Sequence, residues 1–381
     1  MTARGRTAAV LCLGLLLSAM GTGREGLYTA AVLTGLLLVF SWIDALANLH
    51  GLKVSFRAEN GKVPRGGEAA LCVYYRTGCF LPAGEMLLEY TLAGTEGCVS
   101  LRPRCGRERE ERVISPARHA GAYAAGPTVI GSGDPFGLFR LRKKLPGQVE
   151  LLVLPVAFPL NAQDPGPGME DGRFTGLTSE DPTSPEDTRP YAPGDPLKRV
   201  HWKLSARRRE LTVRRFEMPS PPDTLILTDL RPPLPSLTGE EALRLKDAVL
   251  ETAAAVARAQ LANGSPVRLP FFDSASGEFC GDAPEQAGLL EELLALRRFD
   301  ESGGPAEAVR AGLTGLGRTG AAAVISAELT PALVDACAEL RRARLSVRVY
   351  FVSFEPEAPA YEAAVLRLER EEAEVCYVTP S

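Results

Sequence analysis

The sequence predicts an α+β multidomain protein. Its parts are an N-terminal transmembrane helical hairpin (1–50), an antiparallel β-sandwich-like domain (51–160) and a C-terminal doubly wound α/β domain (222–381). Three observations carry this prediction: two apolar runs open the chain, short alternating segments follow, and residues 222–381 alternate buried-strand runs with amphipathic helical stretches. Between them lie an acidic connection (161–188) and a basic segment (189–221). With 381 residues, 45% of them hydrophobic, the chain can fill about two globular cores.

The first apolar run is Ala8 to Met20, and the second is Leu27 to Leu49. The second suffices to cross about 30 Å of hydrocarbon, with its single charge, Asp44, toward its end. The first needs flanking residues to reach that length, and it also has the charged start and short apolar core of a signal peptide. LSAMGTG is a poor cleavage site, and a six-residue break between the runs favours a hairpin. Arg4 and Arg6 precede the pair, His50, Lys53 and Arg57 follow it, and the break holds only Arg24 and Glu25. The positive-inside rule then places both ends, and the bulk of the chain, on the cytoplasmic side of the cell membrane.

The β region reads as LKVSFRA, EAALCVYYR, EMLLEYTL, ERVIS and QVELLVLPV, parted by Gly, Pro and charged turns. It holds Cys72-x6-Cys79 and Cys98-x6-Cys105, a spacing too wide for an ordinary zinc site. Buried free thiols are the expectation there; with the opposite topology, two disulfides would be plausible. Near the end, Asp134-Pro135-Phe136-Gly137-Leu138-Phe139 reads as a turn whose aromatics seal the sandwich.

Residues 161–188 carry seven acids against one arginine, among many Pro, Gly and Ser, and read as an irregular connection. The following stretch from Arg189 to Glu217 holds nine Lys/Arg in 29 residues. The net charge of −4 excludes a general nucleic-acid binder, so this cation cluster is local. Within it, Lys198 to Leu204 alternates: Arg199, His201 and Lys203 on one side, Val200 and Trp202 on the other. That pattern predicts a strand, paired with a second strand at Leu211 to Phe216, with Trp202 and Val213 buried and guanidinium groups outward. Asp195 is the obvious acceptor for Arg189 or Arg199, since a guanidinium donates a bidentate fork.

After Pro222, TLILTDL, PVRLPFF, AAAVIS, SVRVYFVSF and AEVCYVTP read as strands. Helices between them start at Thr238 with Glu241 three residues on (a capping box), at Pro284, at Thr330-Pro331 and near Ala360.

The basic segment resembles the signature of the domain of unknown function 58 family: Arg189, Tyr191, Gly194, Asp195, Arg199, Trp202, Ser205, Ala206, Arg207, Leu211 and Val213 fit it, with Val200 for an isoleucine. Arg208 extends the basic run. The DPFGLF stretch and the strand ending VLPV are similar to the family too, whereas Ala117-Arg118-His119-Ala120-Gly121 departs from its usual Arg-Arg-Gly. The family has no settled activity. The resemblance implies a place beside MoxR-type AAA+ ATPases and other von Willebrand factor A-like proteins, in assembly or maturation at a membrane. It also implies that the C-terminal domain is von Willebrand factor A-like. The adhesion-type metal site of that fold needs D-x-S-x-S, and here Asp229 is followed by Leu230-Arg231-Pro232-Pro233. Asp229 is therefore a weak metal candidate lacking both hydroxyl ligands.

No Walker loop, H-E-x-x-H or G-x-G-x-x-G is present, and no G-x-S-x-G surrounds Ser205. His201 and Ser205, four apart, would share a face only on a helix. The expectation is a non-enzymatic protein without cofactors: a membrane-anchored scaffold docking an AAA+ ATPase, or alternatively a binder of an anionic lipid headgroup or nucleic acid through Arg207 to Arg215.

Overall fold

The computed structural model describes residues 1–79, 84–160, 169–170, 173–174, 185–190, 200–208, 210–216, 222–231, 237, 239–271, 277–298, 303–310 and 319–380. It forms two compact units, Met1–Pro155 and Val156–Ser381.

The first unit opens with helices α1 (Ala3–Thr22) and α2 (Glu25–Gly51), which pack along each other. Gly23 makes the reversal in the left-handed region, at φ 65°, and its N–H closes on the Ala19 carbonyl. Both helices are long and apolar enough to cross a membrane. Their outward faces expose Val10, Leu13, Leu17, Leu33, Leu36 and Ile43, side chains a soluble helix would turn inward.

The β strands follow: β1 (Leu52–Ala58), β2 (Lys62–Pro64), β3 (Glu68–Thr77), β4 (Met86–Leu92), β5 (Thr95–Leu101), β6 (Arg109–Pro116), β7 (Gly121–Gly133), β8 (Arg140–Lys144) and β9 (Val149–Leu154). One sheet runs β1-β3-β6 and a second β2-β9-β7-β4-β5, with β8 beside β7. A single apolar core draws on both sheets, from Leu71 and Val73 to Met86, Leu88, Ile130 and Val153. Each strand contributes alternate residues to it. Every named pair is antiparallel as expected except β2 with β9, which is parallel. Ala93 and Gly94, at φ 50° and 79°, make the tight β4–β5 turn.

Two expectations are corrected here. Cys98 and Cys105 are exposed and Cys72 and Cys79 half-buried, because each lies on an outward or edge position of its strand or turn. The DPFGLF turn does not seal the sandwich with aromatics: Phe136 is 50% exposed, and Leu138 is the buried member. Asp134 instead holds the turn shut, accepting the N–H groups of Phe136 and Phe139 at 3.1 and 2.6 Å. Its carbonyls then receive the start of α1. Thr2 donates from N to Leu138 O at 3.0 Å, and its hydroxyl lies 2.7 Å from Gly137 O and 2.9 Å from Leu138 O. The same hydroxyl oxygen caps α1 by accepting Gly5 N–H at 3.1 Å.

In the second unit, β10 (Met169–Glu170) pairs with β11 (Arg173–Phe174), and β12 (Pro185–Pro190) with β13 (Thr212–Phe216). Strand structure thus enters the stretch read as irregular. A six-stranded sheet follows, built from β14 (Asp223–Thr228), β15 (Val267–Pro270), β16 (Glu278–Gly281), β17 (Thr319–Ser326), β18 (Ser346–Val352) and β19 (Glu374–Val378). Its order is β16-β15-β14-β17-β18-β19, parallel throughout except for the antiparallel edge strand β16. The helices are α4 (Gly239–Ala262), α5 (Ala287–Ala295), α6 (Pro305–Arg310), α7 (Pro331–Arg342) and α8 (Pro359–Arg370). Parallel strands covered on both faces read as continuous apolar runs, which is why AAAVIS and SVRVYFV were legible. Thr330 caps α7 through Leu333 N–H at 3.3 Å, with Pro331 in the first turn. The cap expected at Thr238 lies outside the described residues.

Candidate functional site: a pinned basic helix and an arginine–carboxylate pair

The signature segment forms a short helix, α3 (Trp202–Arg208), where the alternation predicted a strand. The partner of β13 is β12, with Arg189 opposite Val213. Two effects outweigh the five-residue alternation. Lys, Leu, Ala and Arg are good helix formers, and His201 supplies a start signal of unusual type. Its Nδ1 accepts the Leu204 N–H at 3.2 Å, doing what a Ser or Asp cap does elsewhere.

Helix α3 is tied to β13 at its base. His201 N–H donates to Thr212 O at 2.8 Å. Thr212 N–H donates to Ser205 Oγ at 2.9 Å, and that hydroxyl lies 3.4 Å from Thr212 O. Val200, Ser205 and Thr212 are all buried. The Ser205 hydroxyl is therefore engaged by backbone and His201 Nδ1 by the helix start; the two do not form a nucleophile–base pair with each other.

The outward face is the second correction. Trp202 is 62% exposed, not an internal anchor, and Lys203, Arg207 and Leu211 are exposed with it. The helical turn places Trp202 away from Val200, whereas a strand would have put them on one side. Arg208 lies in the last turn of α3. Tyr191, Gly194, Asp195, Arg199 and Arg209 lie outside the described residues, and with them the expected Asp195 pairing.

A second arrangement occupies the carboxyl ends of β14 and β17, where the sheet order reverses and doubly wound folds bind ligands. Asp229, buried, receives Arg231 in a bidentate pair: Nε to Oδ1 at 2.8 Å and Nη2 to Oδ2 at 2.5 Å. Ser326 Oγ lies 3.0 Å from Asp229 Oδ2 and 2.8 Å from Glu328 O, so its single proton serves one of them at a time. The hydrogen bond to Asp229 holds the Arg231 guanidinium above its ordinary pKa, with Glu307 and Glu328 adding to the effect. A Cβ on Gly304 would stand 2.9 Å from Arg231 Nε and 3.2 Å from Asp229 Oδ1, so only glycine lets the chain approach this pair. These residues do not fit a divalent metal: the guanidinium already spans both carboxylate oxygens, and no cluster of three His, Cys, Asp or Glu exists among the described residues. Nothing in the sequence marks the pair beyond Arg231 standing two residues after Asp229.

The chain thus joins an apolar helical pair and a β unit to a mixed α/β unit that carries the signature. Residues 187–355, from β12 to just past β18, match the family model described as "Protein of unknown function DUF58". No curated protein matches the chain. Among solved structures, the CARDB domain of a Pyrococcus furiosus protein, in complex with di-metal ions, is 14% identical over 27% of this chain and 87% of that one, with a TM-score of 0.19. Cwp6 from Clostridium difficile is 8% identical over 86% of this chain and 53% of that one, with a TM-score of 0.20. At such scores neither carries an argument about this fold.

Proposed function

We propose that the protein is a membrane-anchored, cytoplasm-facing scaffold whose α3 segment docks a protein partner. The family resemblance makes a MoxR-type AAA+ ATPase the partner to test. The observation that carries this reading is the exposure of Trp202, Lys203 and Arg207 on a helix fastened at its base by Ser205. Trp and Arg dominate binding hot spots because they bury large area and donate several hydrogen bonds at once. A rigid support under them lowers the entropy lost on docking.

Anchoring rests on α1 and α2, whose exposed apolar faces suit lipid, and on the Arg4, Arg6, Lys53 and Arg57 flanks, which favour both ends in the cytoplasm. A von Willebrand factor A-like identity for the second unit is supported by its strand order and antiparallel edge strand. In that reading Arg231 stands in for the metal, and partner binding at this end is independent of divalent ions.

Crosslinked co-purification of the full chain from membranes tests the proposal. A MoxR-type ATPase recovered with wild type and lost with Trp202→Ala/Arg207→Ala supports it; recovery with neither rejects it. The exposed side chains of Trp202, Lys203 and Arg207 would also suit anionic lipid headgroups. Salt-sensitive flotation of the purified chain's 156–381 unit with phosphatidylglycerol vesicles, lost in the same variant, would replace the protein partner with a membrane surface.

A further inference from the structure

A buried polar cluster lies where α2 meets the β unit. Ser41, Asp44 and Asn48 recur at helical spacing on one face of α2, and α2 packs against β7 and β8. All three are fully buried, whereas their neighbours Trp42 and Ile43 are about half exposed. From β7 comes Ser132, equally buried, and two residues on stands Asp134, whose carboxylate acts electrostatically on Asp44.

Four oxygens here have no hydrogen-bond partner among the described residues: Ser41 Oγ, Asp44 Oδ2, Asn48 Oδ1 and Ser132 Oγ. Their neighbours are engaged. Asn48 Nδ2 donates to both Asp44 Oδ1 and Asp44 O at 3.1 Å, which fixes the amide with its oxygen as the open atom. Asp134 spends its oxygens on the Phe136 and Phe139 N–H groups. Leaving one buried polar atom unsatisfied costs about 1–3 kcal/mol, so four together call for an occupant.

The donor set defines its chemistry. Two of the four atoms, a carboxylate oxygen and an amide oxygen, can only accept, and all four are oxygens. Soft metals and zinc prefer nitrogen and sulfur. Hard cations take carboxylate, carbonyl and hydroxyl oxygens together. Two nearby carboxylates supply charge for a divalent ion, and buried side-chain oxygens suit calcium better than magnesium, which keeps its water.

We propose that Ser41, Asp44, Asn48 and Ser132 form a hard-cation site that locks α2 onto the β unit. The cation bridges helix and strand, so its binding stabilises the junction between the apolar pair and the sandwich.

The test uses the full chain in detergent on a Trp202→Phe background, which leaves Trp42, next to Ser41, as the sole tryptophan. After chelation, calcium, magnesium and sodium chlorides are titrated separately at constant ionic strength against choline chloride. The expected result is a saturable change in Trp42 fluorescence with a rise in melting temperature for one of these ions. Asp44→Asn abolishes both effects, and Ser132→Ala, on the opposite element, weakens binding by about tenfold. Asp44→Asn removes a buried charge and keeps the side-chain shape, so its melting temperature without cation equals or exceeds that of wild type. The proposal is overturned if no cation moves either readout in wild type, the outcome for a pocket filled by water. It is equally overturned if the response persists in both variants.

Discussion

Arg231 grips Asp229 at both oxygens, Nε to Oδ1 at 2.8 Å and Nη2 to Oδ2 at 2.5 Å, at the carboxyl end of the first strand of the six-stranded sheet. The carboxylate is buried and the guanidinium side chain 28% exposed. Removing one partner of such a pair leaves a buried charge uncompensated. Arg231→Ala should therefore lower stability by about 2–3 kcal/mol, less than for a fully enclosed pair because solvent reaches the arginine. Asp229→Asn/Arg231→Met should recover most of that loss, since no naked charge remains. Urea unfolding of the three proteins measures the difference, and the transition of the second unit should be the same with or without a chelator.

The Ser205–Thr212 tie predicts a local effect. Ser205→Ala deprives the buried Thr212 N–H of its acceptor, a loss of about 1–2 kcal/mol. Hydrogen exchange at Thr212 should quicken while exchange in β17 and β18 is unchanged. Equal acceleration across the sheet would mean that α3 and the sheet unfold as one body.

Gly5 meets the turn that holds the amino terminus. A Cβ there would fall 2.1 Å from the Leu138 carbonyl oxygen, a backbone atom with little room to give. Gly5→Ala should cost about 1–3 kcal/mol of the clamp between α1 and the turn. Thr2→Val, which removes the hydroxyl contacts but not the backbone bond, should cost less. Proteolysis of the amino terminus in detergent ranks the two: the alanine variant should be cut first.

Lys246 supplies the pH dependence. It is 6% exposed within α4, and burial lowers its pKa from the ordinary 10.5, against a smaller opposing effect of Asp247. Between the folded value and 10.5 the unfolded chain binds more protons, so stability rises with pH across that window. Below it the buried charge is a constant penalty. Lys246→Met should remove this rise: the stability difference, variant minus wild type, is largest at neutral pH and shrinks toward pH 10.5. Paired denaturation curves from pH 7 to 10.5 give that difference with other alkaline groups cancelled.

How legible each element was depended on how local its cause is. The apolar runs at Ala8 and Leu27, the alternation of the β strands, and Thr330-Pro331 before α7 are short-range signals, and the structure contains the corresponding elements. Strand β16 is four residues long and α6 six, too short for any period to declare itself. Helix α3 failed for another reason: Val200 and Trp202 alternate with cations in the chain, yet the helix start at His201 turns Trp202 outward. Its cap, an imidazole nitrogen, belongs to no common start signal. The Thr2–Leu138 clamp and the Ser41–Asp44–Asn48–Ser132 cluster join residues far apart in the chain or hidden inside apolar runs, and only tertiary packing brings them together; the Arg231–Asp229 pair is local, two residues apart, but matches no common motif.

In the proposed function the exposed side chains of α3 form a docking surface. Its most direct test titrates a purified MoxR-type ATPase against the detergent-solubilised full chain, comparing wild type with Trp202→Ala and Arg207→Ala and, as a folding control, Arg112→Ala on the first unit's surface. A hot-spot tryptophan contributes about 2 kcal/mol or more, so Trp202→Ala should weaken binding by about thirtyfold and Arg112→Ala should not alter it. Equal affinity for wild type and Trp202→Ala, with both folded, would contradict the claim and move any interface away from α3.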